Sequence, residues 1–241
     1  MRSILITGGN GGLGLGIGRY FLEKDPETRV WLGVRANRSA AEALAAEFSG
    51  RCRNVDLEVT SADAWTAAVE SILVDAGRID VLVNNAGAHR DHLLAVMPDD
   101  AWHGVVSSNL DSVFLGCRAV TTAMMKQRSG RIINISSLSA IMPPLGQTNY
   151  AAAKAGVVAL TRTLAKEVAR AGITVNAVLP GYVETEAISG MDDDAKKQAK
   201  SGIPMRRFGK PEEVAAAVFF LASAEASYVT GSSLKIDGGI F

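Results

Sequence analysis

An α/β fold, a sheet of seven parallel strands doubly wound with helices on both faces, is what this sequence predicts, and three observations carry the prediction. Short β-branched runs alternate with longer stretches of helical periodicity along the whole chain. Each intervening stretch is long enough to cross over and return the next strand parallel, which covers both faces of the sheet. The 241 residues, 48% hydrophobic and 21% charged, supply one sizeable core and predict a single domain spanning 1–241.

In chain order the strands are expected at 3–7 (SILIT), 29–34 (RVWLGV), 51–56 (RCRNVD), 79–85 (IDVLVNN), 131–136 (RIINIS), 173–178 (ITVNAV) and 232–237 (SSLKID). Helical patterns fall between them at 13–24, 39–49, 61–76, 98–128, 147–171 and 211–223. Segment 183–210 interrupts the alternation, because MDDDAKKQAK is strongly charged and IPMRRFGKP is rich in breakers. It reads either as a solvated face or as a flexible lid over a site.

Several function classes drop out early. Lys and Arg number 25 and so do Asp and Glu, which leaves no charge excess to draw nucleic acid or an anionic membrane surface. The opening MRSILIT runs directly into a strand pattern, and no apolar run approaches 18 residues, so neither a leader nor a membrane span is expected. Cys52 and Cys117, sixty-five positions apart, read as buried free thiols in a reducing, cytoplasmic setting. His89, Arg90, Asp91 and His92 form a polar cluster with no third soft ligand, so no metal site is expected there, and His103 beside Trp102 reads as a helix-surface residue.

Between Thr7 and Tyr20, TGGNGGLGLGIGRY holds seven glycines, placed after the first strand and at the start of the first helix. A pyrophosphate needs that combination: a tight turn, close backbone approach and free N–H groups at a helix N-terminus. Gly14 and Gly18 lie four apart on one helix face, so Gly18 is expected to let the helix pack closely on the sheet; Gly16 has no evident local reason. About 20 residues further on, where an acid bonds a ribose diol in such folds, stands Val34 followed by Arg35. From Arg29 to Ala41 there are three arginines and no acid, which favours a 2′-phosphorylated cofactor, NADP(H).

The spacing Thr7-Gly8-x-x-x-Gly12-x-Gly14 resembles the fingerprint of the short-chain dehydrogenase/reductase family, and so does the order Asn109, Ser137, Tyr150-x-x-x-Lys154. The resemblance implies a Rossmann-type fold and reaches nearly the whole chain, to RFGKPEEVAAAVFFLAS (207–223) and YVTGSSLKIDGG (228–239), with the bacterial 3-oxoacyl-[acyl-carrier-protein] reductases most similar. It implies that Gly8, Asn10, Gly12, Leu13 and Gly14 cradle the cofactor and that Asp56 and Leu57 meet the adenine. Asn85, Ala86 and Gly87 of the NNAG segment would lie against it, and Pro180, Gly181, Val183 and Thr185 would border the nicotinamide. Thr185 reads equally as a helix N-cap.

By the same resemblance Tyr150 is the general acid, Ser137 holds the substrate carbonyl oxygen, Lys154 binds the nicotinamide ribose and lowers the Tyr150 pKa, and Asn109 anchors a proton-relaying water. Four residues apart on a helix, Tyr150 and Lys154 share a face. Bringing a tyrosine from near 10 to about 7 takes roughly 4 kcal/mol of preferential phenolate stabilisation, which a nearby ammonium in a dry site supplies together with the positive nicotinamide of the oxidised cofactor. Ser136 and Ser139 are rival serines that the spacing sets aside.

The implied reaction is NADPH-dependent reduction of a 3-ketoacyl thioester, tethered to CoA or an acyl carrier protein. Arg128, Arg131 and Arg170 are expected in a basic rim for an acidic carrier; the apolar faces of 98–128 and 147–171 exceed what the sheet covers, and the resemblance, in which such helices pair between subunits, implies a homotetramer. Two other readings stay open: a dehydrogenase of a free secondary alcohol, steroid or sugar, and a non-catalytic nucleotide-binding sensor. The apolar wall Pro143-Pro144-Leu145 speaks against a sugar, and the presence of both Tyr150 and Lys154 speaks against the sensor.

Overall fold

The computed structural model describes residues 1–241, with side chains at every position but 187. Seven strands, β1 (Arg2–Thr7), β2 (Thr28–Val34), β3 (Cys52–Asp56), β4 (Val81–Asn84), β5 (Gly130–Ile135), β6 (Ile173–Pro180) and β7 (Ser233–Ile236), form one parallel sheet ordered β3-β2-β1-β4-β5-β6-β7. The helices are α1 (Gly12–Lys24), α2 (Ser39–Glu47), α3 (Ala62–Ala76), α4 (Asp99–Val106), α5 (Ser112–Gln127), α6 (Thr148–Val168), α7 (Glu186–Ser189), α8 (Asp193–Ser201) and α9 (Pro211–Ala222). This is the doubly wound, Rossmann-type α/β architecture that the alternation predicts.

The central strands are continuously apolar because each face of the sheet has its own core. Ile4 and Ile6 of β1 join Phe21, Leu44 and Val218 beneath α1, α2 and α9. Leu5, on the opposite face, joins Trp65, Val120 and Val157 beneath α3, α5 and α6. Helix ends follow local chemistry: the Ser61 hydroxyl accepts from the Ala64 N–H at 3.3 Å to start α3, and Gly77, at φ 74°, closes it.

β1 pairs with β2 on one side and β4 on the other, so the strand order reverses about β1. A crevice opens at that reversal, outside the carboxyl ends of the strands, where ligands bind in open α/β sheets.

The structure departs from the sequence expectation at 98–128 and at the three arginines, and it gives the charged part of segment 183–210 a solvated helix, one of that segment's two readings. The helix expected over 98–128 is divided by a π-helical turn at Ser107–Asp111, between α4 and α5. One extra residue per turn leaves the apolar pattern almost unchanged, so periodicity does not show it. Segment 183–210 contains α7 and α8, the latter capped by the Asp192 carboxylate on the Ala195 N–H at 2.7 Å. Finally, Arg128, Arg131 and Arg170 precede or begin β5 and β6, so within the chain they lie at the opposite edge of the sheet from the crevice and do not rim it.

Candidate active site

A cleft of about 930 Å³ runs along the carboxyl ends of β1, β2, β4, β5 and β6. Its nucleotide end is built on the glycine turn. Gly8 takes φ +63°, and a Cβ on it would lie 3.0 Å from both Ala86 Cα and Asn85 Nδ2. A Cβ on Gly14 would run into the Gly8 carbonyl, so the helix reaches the turn only without one. Gly11 caps α1 with no side-chain bond, which leaves the first N–H groups of the helix directed at the cleft. The Gly12 N–H donates to the Glu186 carboxylate at 3.4 Å, a protein anion standing at the helix N-terminus. The Thr7 hydroxyl accepts from the N–H groups of Asn85 and Ala86, both at 2.9 Å, and so fixes the NNAG segment against the turn. Strand periodicity gave no sign of that role for Thr7.

The other glycines serve packing. A Cβ on Gly18 would meet Leu32 Cδ2 at 3.1 Å, the expected closeness of helix and sheet. Gly16 faces Pro211 at the start of α9, where a Cβ would come within 2.9 Å of the proline Cβ. Gly9 lies on Leu32, where a Cβ would stand 2.6 Å from that residue's own.

Gly8, Asn10, Gly12, Leu13, Gly14, Arg35, Leu57, Asn85, Ala86, Gly87, Asn109, Ser137, Tyr150, Lys154, Pro180, Gly181, Val183 and Thr185 all line this one cleft. Asp56 does not; its exposed carboxylate pairs with Arg38. Of the three arginines near the second strand, Arg29 lies at the far edge and Arg35 in the cleft wall, where it donates to Glu58 at 2.8 Å. Thr185 precedes α7, yet its hydroxyl makes no capping bond.

The reacting end is buried. Lys154, 3% exposed, donates from Nζ to the Ile135 carbonyl at 3.0 Å and lies 5.5 Å from the Tyr150 ring centroid. Asn109 sits in the π turn, where its Nδ2 donates to the carbonyls of Ala88 and Val105 at 2.6 and 2.9 Å. Its buried Oδ1 accepts nothing and faces the same point as Lys154: a Cβ on Gly87 would strike that oxygen and lie 3.4 Å from Nζ. The rival serines are engaged elsewhere, Ser136 with the Lys154 carbonyl at 2.8 Å and Ser139 with Gln147 at 3.1 Å. His89 lines the cleft, with its ring 6.2 Å from that of Tyr150 and its Nδ1 3.2 Å from Asp91.

Burial pushes the Tyr150 phenol above its ordinary value, opposed by its hydrogen bond with Ser137. Burial likewise drives the Lys154 ammonium down, to about 8. A dry site disfavours either charge when it stands alone, and one of the three ammonium N–H groups is bonded to the Ile135 carbonyl.

A phosphate-ready helix end, a cradle that any Cβ would fill and a proton-bearing Tyr–Lys pair beyond it define an oxidoreductase that binds a dinucleotide. The comparisons agree with that class. The family described as "Enoyl-(Acyl carrier protein) reductase" matches residues 9–240. The 3-oxoacyl-[acyl-carrier-protein] reductase FabG of Chlamydia muridarum is 40% identical over 99% of this chain and 97% of its own length. The proteins of the same name from Thermotoga maritima, 44% identical, and Vibrio harveyi, 40% identical, each align over 98% of this chain and 96% of their own. The chain belongs to the short-chain dehydrogenase/reductase family, and it is an oxidoreductase that uses a nicotinamide cofactor.

Proposed function

We propose that this protein reduces the 3-keto group of an acyl thioester, carried on acyl carrier protein or CoA, with NADPH. The observation that carries the reading is the meeting of Ser137, Tyr150, Lys154 and the unpartnered Asn109 Oδ1 at one end of a dinucleotide cradle. The names of the relatives supply the acyl class. Exposed apolar side chains on the segments after β4 and β5 fit it: Leu93, Leu94, Ile141, Met142 and Leu145, the last 94% exposed, stand on two stretches joined by the bond from the His92 N–H to the Gly146 carbonyl at 2.9 Å. Arg35, with no acid between Arg29 and Ala41, supports the 2′-phosphorylated cofactor.

When bound, the nicotinamide supplies the hydride. The Ser137 hydroxyl donates to the substrate carbonyl oxygen and orients it. Tyr150, kept protonated by burial, gives its phenolic proton to that oxygen as it becomes an alkoxide. The Lys154 ammonium stabilises the phenolate left behind, in a site dry enough for the attraction to count. Asn109 Oδ1 offers the lone pair that holds a water to reprotonate the relay. No helix of the described residues is long and apolar enough to cross a membrane, and the two buried thiols suit a reducing cytoplasm. Phe114, 47% exposed on α5, and Met125 present apolar surface that a second copy covers in a homotetramer.

The test is the rate of NADPH and NADH oxidation with acetoacetyl-CoA, with crotonyl-CoA and cyclohexanone beside it. Turnover is expected with acetoacetyl-CoA and NADPH. Reduction confined to crotonyl-CoA would assign an enoyl substrate instead, and turnover of cyclohexanone alone would move the reading to free ketones.

A further inference from the structure

We propose that Glu58 sets how strongly this enzyme prefers NADP(H) to NAD(H), by acting as the resident counterion of Arg35. The inference rests on the reading that Arg35 receives the 2′-phosphate. Arg35 donates from Nη1 to Glu58 Oε2 at 2.8 Å, and both residues line the nucleotide end of the cleft. The carboxylate is anchored independently of the arginine, since its Oε1 accepts the Thr60 N–H at 3.2 Å and the Thr60 hydroxyl at 2.9 Å. Glu58 is therefore placed by the backbone after β3, and Arg35, 72% exposed against 34% for Glu58, is the less constrained partner.

The neighbouring charges give the pair its consequence. Arg38 is bound to Asp56 outside the cleft, so Arg35 and Glu58 are the charged pair that lines its nucleotide end. An incoming 2′-phosphate must share the Arg35 guanidinium with a carboxylate that Thr60 keeps in place. A guanidinium has five N–H donors, so sharing is feasible, but the fixed negative charge opposes the phosphate and leaves an unphosphorylated ribose unaffected. The site thus selects NADP(H) with a built-in handicap, and the pairing is what holds the Glu58 carboxyl below its ordinary range.

The experiment measures dissociation constants for NADPH and NADH, by nicotinamide fluorescence at fixed ionic strength, in the full-length protein and its Glu58→Gln and Arg35→Ala variants. Glu58→Gln is expected to raise the preference for NADPH about fivefold, the scale of one exposed ion pair, with an unchanged thermal melting curve as the check on folding. Arg35→Ala is expected to collapse the preference. A Glu58→Gln preference equal to that of the parent, with Arg35→Ala still collapsing it, would overturn the inference while leaving the cofactor reading intact. An Arg35→Ala variant that binds NADPH as tightly as the parent would overturn the cofactor reading, and the inference with it.

Discussion

At the nucleotide end of the cleft Arg35 projects into solvent and shares its charge with Glu58; at the reacting end Lys154 is buried and, among the described residues, has no carboxylate partner. Water screens the first pair, so Glu58 can be exchanged for a few-fold change in selection. The second group has no such relief. Its charge is costly wherever it is not in use, and the cost is tolerated because the reaction needs an ammonium beside a phenol. On the proposed reading, selectivity is assembled from exposed charges and chemistry from buried ones.

Removing the proton donor is the harshest way to break this contrast. Tyr150→Phe should lower turnover about 10³-fold, within the range for losing a general acid, while NADPH affinity stays within about threefold. Steady-state rates with acetoacetyl-CoA and a binding titration check both halves. Comparable loss of affinity would mean that Tyr150 serves the cofactor and not the proton.

Lys154→Met tests the cost of the buried charge. Turnover should fall at least about 100-fold, yet the variant should melt several degrees higher at pH 7 than the parent. The folded pKa of about 8 lies below the unfolded lysine value near 10.4, which makes the buried ammonium cost about 3 kcal/mol at neutral pH before its bond to Ile135 is counted. Between those two values the unfolded chain binds more protons, so the lysine's contribution to stability improves as pH rises. The melting gap should therefore narrow between pH 8 and pH 10, and calorimetry at pH 7 and pH 9.5 decides it. The parent's ketone reduction should also decline as pH passes about 8, where Lys154 loses its proton.

At the nucleotide end the same logic turns steric. Gly14→Ala drives a methyl into the Gly8 carbonyl and should weaken dinucleotide binding more than tenfold and stability by about 2 kcal/mol. Isothermal titration and urea unfolding measure the two. Gly16→Ala should do least: crowding of Pro211 is offset by helix propensity worth about 1 kcal/mol, so stability should stay within about 1 kcal/mol and cofactor affinity unchanged. A marked affinity loss there would place Gly16 in the cradle.

The sequence by itself determined what short-range physics determines. Seven apolar runs, the helices between them and the glycine turn are local patterns, and the i, i+4 pair Tyr150 and Lys154 is fixed by helix geometry alone. Patterns of this kind do not report what a residue meets from a distant element. The reason for Gly16 lies 195 positions away at Pro211, and the carboxylate on the α1 N-terminus arrives from Glu186. The π turn that turns Asn109 inward adds one residue to a helix whose apolar pattern hardly changes. Only the tertiary structure decided which edge of the sheet each arginine occupies, that Glu58 answers Arg35, and that Tyr150 is held above its ordinary pKa. Burial and charge pairing depend on distances through space, and those exist only once the crossovers have brought the strand ends together.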